Sequence, residues 1–599
     1  MIVEPTSANF SSSPTLNPHC GSGKWVRALL AVVVFAAFAL QVTWPMPLAM
    51  DRDLPMGTEA VATVPLFNLW TVWWNADRAA AGLRGYWDAP IFYPTTKTFA
   101  FSEAQPTTLI VAPLVLWFNG FPILAYNVYL LLTLWLNGVC GYRLLRQRGF
   151  DWWPALCGGI LVETLPFVVW QLGVLQLTVL WASLWTISAF WKWRTQPGWK
   201  PALELGFAFG ITYLSCNYYG LFLGLLLVPT AAALCWRQAL SLRAWGQLFA
   251  AGAVAAILCA PLVIQQQRAS REHAWTREMS MVLDLSAHLR DYTNTPWPQW
   301  LDEWECPEAG RSGWALGPAF GQWMCAGIGL TVGLWQRGRR NWALFALGIG
   351  TLALFVSMGP RLEMWGLSPY RGLWAVVPGI AQIRSPFRFA VFVQLATTWL
   401  AVLLLQTLVP KVDGVGQITT WRQRFVLVGA WLPTVLAGVV LIAETRPVNR
   451  QCDRWPVRHW PQWVEYLRDE TPPETTIVCL PFVTGTDIRD YEHVTRWMAW
   501  GMGHRRRMVN GYSGYFPDPY LYFKGALGQF PATGAEMLVE KQIDLAVIDR
   551  RHLPPEHIVH TEPTSTWEWL YSDDVALIDI YRIRPAPSKA AADIPSEEE

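Results

Sequence analysis

The chain has 599 residues, of which 53% are hydrophobic and 15% charged, and it carries 38 tryptophans. Soluble globular domains hold roughly a quarter charged residues, so the composition excludes that class and specifies an integral membrane protein. The net charge of +2 comes from short basic clusters between apolar runs, no footprint for nucleic acid, and the ten cysteines show neither CxxC nor ligand spacing, which leaves no zinc site or disulfide framework.

Residues 1–24 are rich in Ser and Pro and are expected to form a disordered cytoplasmic tail. Lys24 and Arg27 precede a charge-free run, 28–50, long enough to cross ~30 Å of hydrocarbon. It is too long for the core of a signal peptide, so it reads as an uncleaved first span. Residues 51–106 follow as a long exterior loop. Inside it, Val64, Phe67, Trp70 and Trp74 recur at three and four residues, which predicts an interfacial helix over 64–78 whose aromatic face rests on lipid.

Further apolar runs at 123–145, 153–170, 174–191, 203–216, 218–234, 248–264, 316–335, 342–356, 389–408 and 425–442 bring the expected spans to eleven. Run 108–118 reaches only about half a membrane thickness. Read as a short interfacial helix, it leaves Arg143, Arg146, Arg148, Lys192, Arg194, Arg237, Arg339, Arg340 and Lys411 all on the side of Lys24 and Arg27. Read as a crossing, it would move every one of them to the other side. The expected fold class is therefore membrane α-helical, about 11 transmembrane helices over residues 25–446, with exterior loops 51–106, 265–314 and 359–388. From 447 to 585 charge rises and short apolar strands (476–480, 544–548, 575–580) alternate with helical stretches (460–468, 520–527), the pattern of an exterior α/β domain. Residues 586–599 are expected to be a disordered tail.

The first loop concentrates candidate chemistry. Glu59, in Met56-Gly-Thr-Glu59, stands just past the first span, where a carboxylate can take a proton from a hydroxyl or hold a divalent cation. Asp51 and Asp53 form an i, i+2 pair of oxygen ligands with the same capacity. Solvated acids at a membrane surface are the plainer alternative. Asn68, Asn75, Asp77 and Arg78 share the 64–78 helix with Trp70 and Trp74, either as a polar face turned to water or as substrate contacts, and the tryptophans serve as membrane anchors or sugar platforms. Glu103 closes the loop's acidic set.

Exterior arginines run against the positive-inside bias. Arg384 and Arg388, in Ile383-Arg-Ser-Pro-Phe-Arg388, and Arg361 and Arg371 before them, offer bidentate guanidinium groups to a phosphate or to ordinary lipid headgroups. Glu163, with Gln171 and Gln176, is a candidate lining of an intramembrane cavity. The run His504-Arg-Arg-Arg507-Met-Val-Asn510-Gly-Tyr-Ser-Gly514-Tyr515 offers turns with free backbone amides and three arginines to an anion, or reads more plainly as a turn that docks the C-terminal part onto the membrane part. HExxH, GxSxG and a Walker lysine motif are absent from the sequence, against zinc proteolysis, serine hydrolysis and ATP-driven transport.

Gly57-Thr-Glu59, Phe67-Asn68-Leu-Trp70, Trp73-Trp74-Asn75, Ile91-Phe-Tyr-Pro94, Phe101-Ser-Glu103, Ala125-Tyr-Asn127, Ile383-Arg-Ser-Pro-Phe-Arg388-Phe and Asn510-Gly-Tyr-Ser-Gly514 are similar to bacterial multi-pass proteins assigned to the GT-C class of polyprenyl-phosphate-sugar-dependent glycosyltransferases. The likeness covers about 44–548. It implies a multi-pass protein of the plasma (inner) membrane, N-terminus cytoplasmic, that takes a polyprenyl-phosphate-linked sugar as donor to an acceptor the sequence does not name. It also implies an acid of the first loop as base or metal ligand, at Glu59, and a lipid-phosphate site at Arg384 and Arg388. Many relatives carry Asp where this chain has Glu59, which keeps Asp51 and Asp53 as competitors. The rival functions are a lipid-linked glycan flippase and a non-catalytic subunit of cell-envelope glycan assembly.

Overall fold

A computed structural model describes residues 19–118, 121–236, 241–294, 314–410, 421–445, 451–455, 459–530, 533–552 and 567–584. Most of the expected N-terminal tail and all of the C-terminal one lie outside them. The chain is mostly helical. Among the described residues seven stretches are long and apolar enough to cross a membrane. They are Trp25–Val42 within α1 (His19–Val42), α4 (Ile123–Gln147), the pair α5 (Trp152–Glu163) and α6 (Pro166–Trp170), α9 (Asn217–Leu234), α10 (Leu242–Glu272), α13 (Arg340–Ser357), and Pro386–Thr407, which contains α15 (Ala390–Thr407). Four other expected spans are shorter helices: α7 (Trp181–Thr195), α8 (Trp199–Ser215), α12 (Phe320–Trp335), and α16 (Trp421–Glu444) over Gly429–Glu444. Run 108–118 forms a 3-10 turn and the short helix α3 (Ala112–Trp117).

The polar residues inside the bundle explain why two expected spans are broken. Pro166 has no N–H to continue α5, so the chain breaks at Thr164–Leu165, and residues 174–180 are not α-helical. Backbone groups freed inside a bundle need partners. Gln394 of α15 supplies them at the first break, accepting from the Phe167 N–H at 2.9 Å and donating to the Leu316 carbonyl at 2.8 Å. Asn137 of α4 supplies them at the second, donating to the Thr178 carbonyl at 2.8 Å and accepting from the N–H groups of Leu180 and Trp181. The breaks let the chain turn at residues 170–173, beneath the first loop. Basic residues gather at the other end of the bundle, where Arg339 donates to the carbonyls of Arg148 and Gly149.

Within the first loop, β1 (Asp53–Gly57) pairs antiparallel with β2 (Gln451–Arg454). The next element, α2 (Thr63–Ala80), corrects an expectation: it does not rest on lipid. Every residue from Pro65 to Asp77 is buried, because α18 (Glu492–His504) packs on one side of α2 and α3 with the end of α4 on another. Its aromatic stripe, with Trp70 and Trp74 stacked at 6.1 Å, is core.

After β2 come α17 (Gln462–Glu470), β3 (Thr476–Leu480), α18, β4 (Arg507–Met508), α19 (Asp518–Leu527), α20 (Ala535–Glu540), β5 (Leu545–Asp549), β6 (Trp567–Asp573) and β7 (Ile578–Ile583). The strands form one sheet in the order β4-β3-β5-β7-β6, with β3 parallel to β4 and β5, and β7 antiparallel to β5 and β6. Thr476–Leu480 and Leu545–Asp549 are buried at every residue, as the apolar runs 477–480 and 545–548 within them require for central strands covered on both faces. The 504–515 run docks this layer onto the first loop: Tyr93 N–H donates to the Met508 carbonyl at 2.9 Å, Met508 N–H to the Pro90 carbonyl, and Arg505 pairs with Asp77 at 2.9 Å.

Candidate active site

Glu59 owes its place to two glycines. Gly57 has φ +61°, and a Cβ there would stand 2.4 Å from the Trp170 carbonyl; a Cβ on Gly173 would stand 2.4 Å from the Met56 carbonyl and 2.9 Å from Cγ of Glu59. Glycine alone allows the loop to lie directly on the 170–173 turn. The Thr58 N–H seals the contact by donating to the Trp170 carbonyl at 3.1 Å. Asn68 supports the same turn from below: its Nδ2 reaches the Gly173 carbonyl at 3.5 Å, and its Oδ1 accepts from Gln105, which also donates to Gln176.

Above this platform opens a cavity of ≈ 710 Å³, lined by Glu59, Glu103, Gln176, Arg277, Arg384 and Arg388 together with Asn217, Tyr218, Tyr512 and Tyr515. Separate stretches build it: the first loop, residues 174–176, residues 213–221 around the start of α9, the loop and helix end around 263–277, the 378–388 segment that enters α15, Ile488 and the 512–515 turn. α10 contributes more than the sequence suggested. Expected to end near 264, it runs to Glu272, about 46 Å of helix, and carries Gln266, Gln267 and Ser270 to the cavity wall.

The electrostatics set two carboxylates among guanidinium groups. Burial raises the Glu59 carboxyl above its ordinary range, while Arg388 and Arg384 pull it down. Glu103 is only 9% exposed, and neither of its oxygens completes a hydrogen bond of normal geometry among the described residues. Burial raises it to about 7, against Arg388, the N–H groups of Asn217 and Tyr218 at the start of α9, and the Cys216 thiol. Arg388 lies over the Tyr218 ring at 4.7 Å, with its Nε unpartnered. Burial lowers Arg277, which donates to the Gly514 carbonyl at 2.6 Å and lies over the Tyr515 ring at 3.7 Å. Arg384 is held charged: burial acts against it, but Tyr218, Tyr512 and Glu59 outweigh it. The cavity thus pairs strong anion binders with two carboxylates whose affinity for a proton is raised by burial, Glu103 to about 7.

Of the residues singled out in the sequence, Glu59, Glu103, Gln176, Arg384 and Arg388 come together here. The others do not. Asp51 is exposed beside Arg52, and Asp53 lies in β1, where Arg454 meets it at 3.0 Å. The i, i+2 pair is therefore split between solvent and a strand pairing. Trp74 is buried in α2 and donates to the Tyr86 carbonyl at 2.9 Å. Asn68 is buried under the site without lining it. Arg361 donates to the Ser286 carbonyl at 3.2 Å, away from the cavity walls. Glu163 is wholly buried against Phe35 and Gly138, and Gln171 likewise lines no part of the cavity. Sequence reading missed Arg277 and the 512–515 turn. The first carries the same signal as Arg384, a basic residue in a stretch read as exterior, and the second sits in the run read as an anion-binding or docking turn, with no role given to Tyr512 or Tyr515.

A bundle with broken spans, an acidic first loop folded onto one end and a C-terminal sheet layer has the fold of GT-C membrane glycosyltransferases. Cryo-EM structures of the arabinofuranosyltransferase AftD from Mycobacteria share it. One class of an AftD point mutant aligns with TM-score 0.55 at 12% identity over 94% of this chain and 42% of that one. A second class aligns with TM-score 0.51 at 13% identity over 92% and 41%. The chain thus spans about two fifths of the length of the structures it matches. No family model and no curated protein matches it.

Proposed function

We propose that the protein is a membrane glycosyltransferase that moves a sugar from a polyprenyl-phosphate carrier to an acceptor hydroxyl on the exterior face of the plasma (inner) membrane. The observation that carries this reading is the meeting of Glu59 with Arg384 and Arg388 in one cavity, at the bundle end opposite the basic cluster around Arg148 and Arg339. Cations mark the cytoplasmic side, which supports an exterior cavity, a cytoplasmic N-terminus, an exterior C-terminal α/β domain, and crossings by α7, α8, α12 and α16 as well, eleven in all.

The chemistry follows from the charges. The acceptor oxygen attacks the anomeric carbon, the bond from that carbon to the phosphate oxygen breaks, and Glu59 takes the acceptor proton. The bonding pair leaves with the phosphate, which goes from the single negative charge of a diester to the double charge of a monoester, and Arg384 and Arg388 stabilise that added charge more in the transition state than in the ground state. A cavity of ≈ 710 Å³ is of the size that encloses a sugar phosphate and the first part of a lipid chain. No step is assigned to a divalent cation: Glu59 and Glu103 are two carboxylates among four arginines, and among the described residues no group of three or more His, Cys, Asp or Glu is placed to hold a metal ion.

The test is transfer from a synthetic polyprenyl-phosphate sugar by protein reconstituted in liposomes. Glu59→Gln should abolish transfer while the purified protein keeps its thermal midpoint. Unchanged transfer would remove Glu59 from the mechanism, and carrier flipping without transfer in the unaltered protein would replace this reading with the flippase.

A further inference from the structure

The C-terminal sheet layer holds a second cavity, ≈ 1140 Å³, that the transfer reaction does not use. It opens at the carboxyl ends of the parallel strands β3 and β5, where the chain leaves the sheet in opposite directions; open α/β sheets bind ligands at this position. Residues 481–485, just past β3, form one wall, and Asp549, Arg551 and His552, at the end of β5, form another. The third wall is one face of α18, whose Glu492, His493, Arg496, Trp497 and Trp500 recur at helical spacing.

Most charges of this cleft are already paired; among the described residues Arg489, at the rim, is the lining arginine without an ion pair. Arg496 is held by Glu492 at 2.6 Å and by Asp453 at 2.9 Å; Arg551 and His552 both close on Asp549, at 2.8 and 3.0 Å. Asp573 accepts from the N–H groups of Trp463, Val575 and Ala576. This is the reverse of the first-loop cavity, where guanidinium groups stand among rings and backbone. What the cleft leaves on offer is aromatic surface and a polar atom. Trp500 is half-buried on its wall, beside Trp460, which is itself stacked on Phe121 at 4.3 Å, and Trp463 and Trp497 are packed edge to face beneath at 5.6 Å. The Nε2 of His493 is buried without a hydrogen-bond partner. Flat indole surface with few fixed polar groups matches a ligand whose faces are apolar C–H and whose edges are hydroxyl. The two cavities also share a rim: in the 3-10 turn Ile488–Tyr491, Ile488 lines the first, and Arg489 and Asp490 line the second.

We propose that this cleft binds a neutral oligosaccharide, and that a glycan held there runs over the 488–491 rim to present its end at Glu59. The binding half stands on the cleft alone; the presenting half rests on the transfer reading above.

The experiment is saturation-transfer NMR on the full chain in lipid nanodiscs. The probes are arabinohexaose and maltohexaose, one built of pentoses and one of hexoses, with inorganic phosphate and AMP as anionic competitors. At least one oligosaccharide should bind saturably, resist both competitors, and lose tenfold or more in affinity in His493→Ala and in Trp500→Ala, with Asp53→Asn, outside both cavities, binding as the unaltered protein does. If Trp500→Ala fails to keep the thermal midpoint, His493→Ala decides. No binding by either oligosaccharide, displacement by AMP or phosphate, or full affinity in His493→Ala would each overturn the binding half. The presenting half is read in transfer assays. His493→Ala should slow transfer to the bound hexasaccharide and leave transfer to a monosaccharide glycoside, too short to span both cavities, unchanged; equal rates on both acceptors would overturn it while leaving the cleft in place.

Discussion

The two acidic stretches of the first loop end in opposite circumstances. Asp51 and Asp53 are each given a cation, Arg52 and Arg454, and Asp53 stitches β1 to β2. Glu59 and Glu103, a few residues from either rim of the same loop, are drawn into a cavity where the arginines facing them have no carboxylate within ion-pair distance among the described residues. A carboxylate that closes its own ion pair holds chain segments together. One that is desolvated and left open keeps a raised pKa and a free lone pair, which is what proton transfer needs.

The sharpest break of this comparison is Glu59→Gln, which keeps shape and removes the base. General-base catalysis is worth roughly 10²–10⁴ in rate, so transfer should fall by that range with donor KM little changed. Glu59→Asp should lose less, since a shorter carboxylate keeps the charge and loses reach. Because burial raises the Glu59 carboxyl, the acid limb of the kcat profile should lie above the ordinary carboxylate range, the rate falling as pH drops through it. Arg388→Ala comes next: loss of one charge-assisted contact to phosphate, about 1.5–3 kcal/mol, should raise donor KM by roughly ten- to a hundredfold. Measured on reconstituted protein, an unaltered KM in Arg388→Ala would break the assignment of the phosphate.

What was legible in the chain is which charged residues meet in the cavity: Arg384 and Arg388 stood out as cations in a stretch expected to be exterior, and Glu59 as an acid next to a span. The strand over 476–480 was visible as an unbroken apolar run, and the structure places β3 there. What could not be read was burial that depends on partners distant in sequence. The 64–78 stretch has the aromatic periodicity of a helix on lipid, and nothing local says that α18, more than 400 residues on, covers it instead. Asn137 and Gln394 are single polar residues in apolar runs, and their purpose appears only when the breaks at 164–166 and 174–180 stand opposite them. The Asp51/Asp53 spacing suggested chelation, and the partner that decides otherwise, Arg454, lies 401 positions away from Asp53.

A smaller effect sharpens the contrast between Glu103 and its paired counterparts. Glu103 titrates at about 7 beside Arg388, and its raised pKa means it is neutral below that value and anionic above it. The proposed donor is a phosphodiester with no titration nearby, so any pH dependence of its binding would belong to the protein. As pH rises through about 7, the new carboxylate competes with the phosphate for Arg388, and donor KM should rise by roughly three- to tenfold, each tenfold being 1.4 kcal/mol. In Glu103→Gln the KM should stay flat across the same window, at the low-pH value. A KM that climbs equally in both proteins would place the titrating group elsewhere.

The smallest expected effect falls on Asp53→Asn. Asn keeps the size of Asp53 and its place in the β1–β2 ladder while removing the charge that meets Arg454. Arg454 is largely exposed, so water takes over much of its solvation, and such pairs are weak. The thermal midpoint should drop by a few degrees at most, more at low salt than at high salt because the remaining attraction is screened. The rate per folded molecule should not change, since the Asp53 side chain faces a strand pairing and lines no part of the cavity. A loss of transfer comparable to that in Glu59→Gln, with the midpoint intact, would mean that the first acidic stretch reaches the substrate after all, and the division between binding pair and open carboxylate would have to be redrawn.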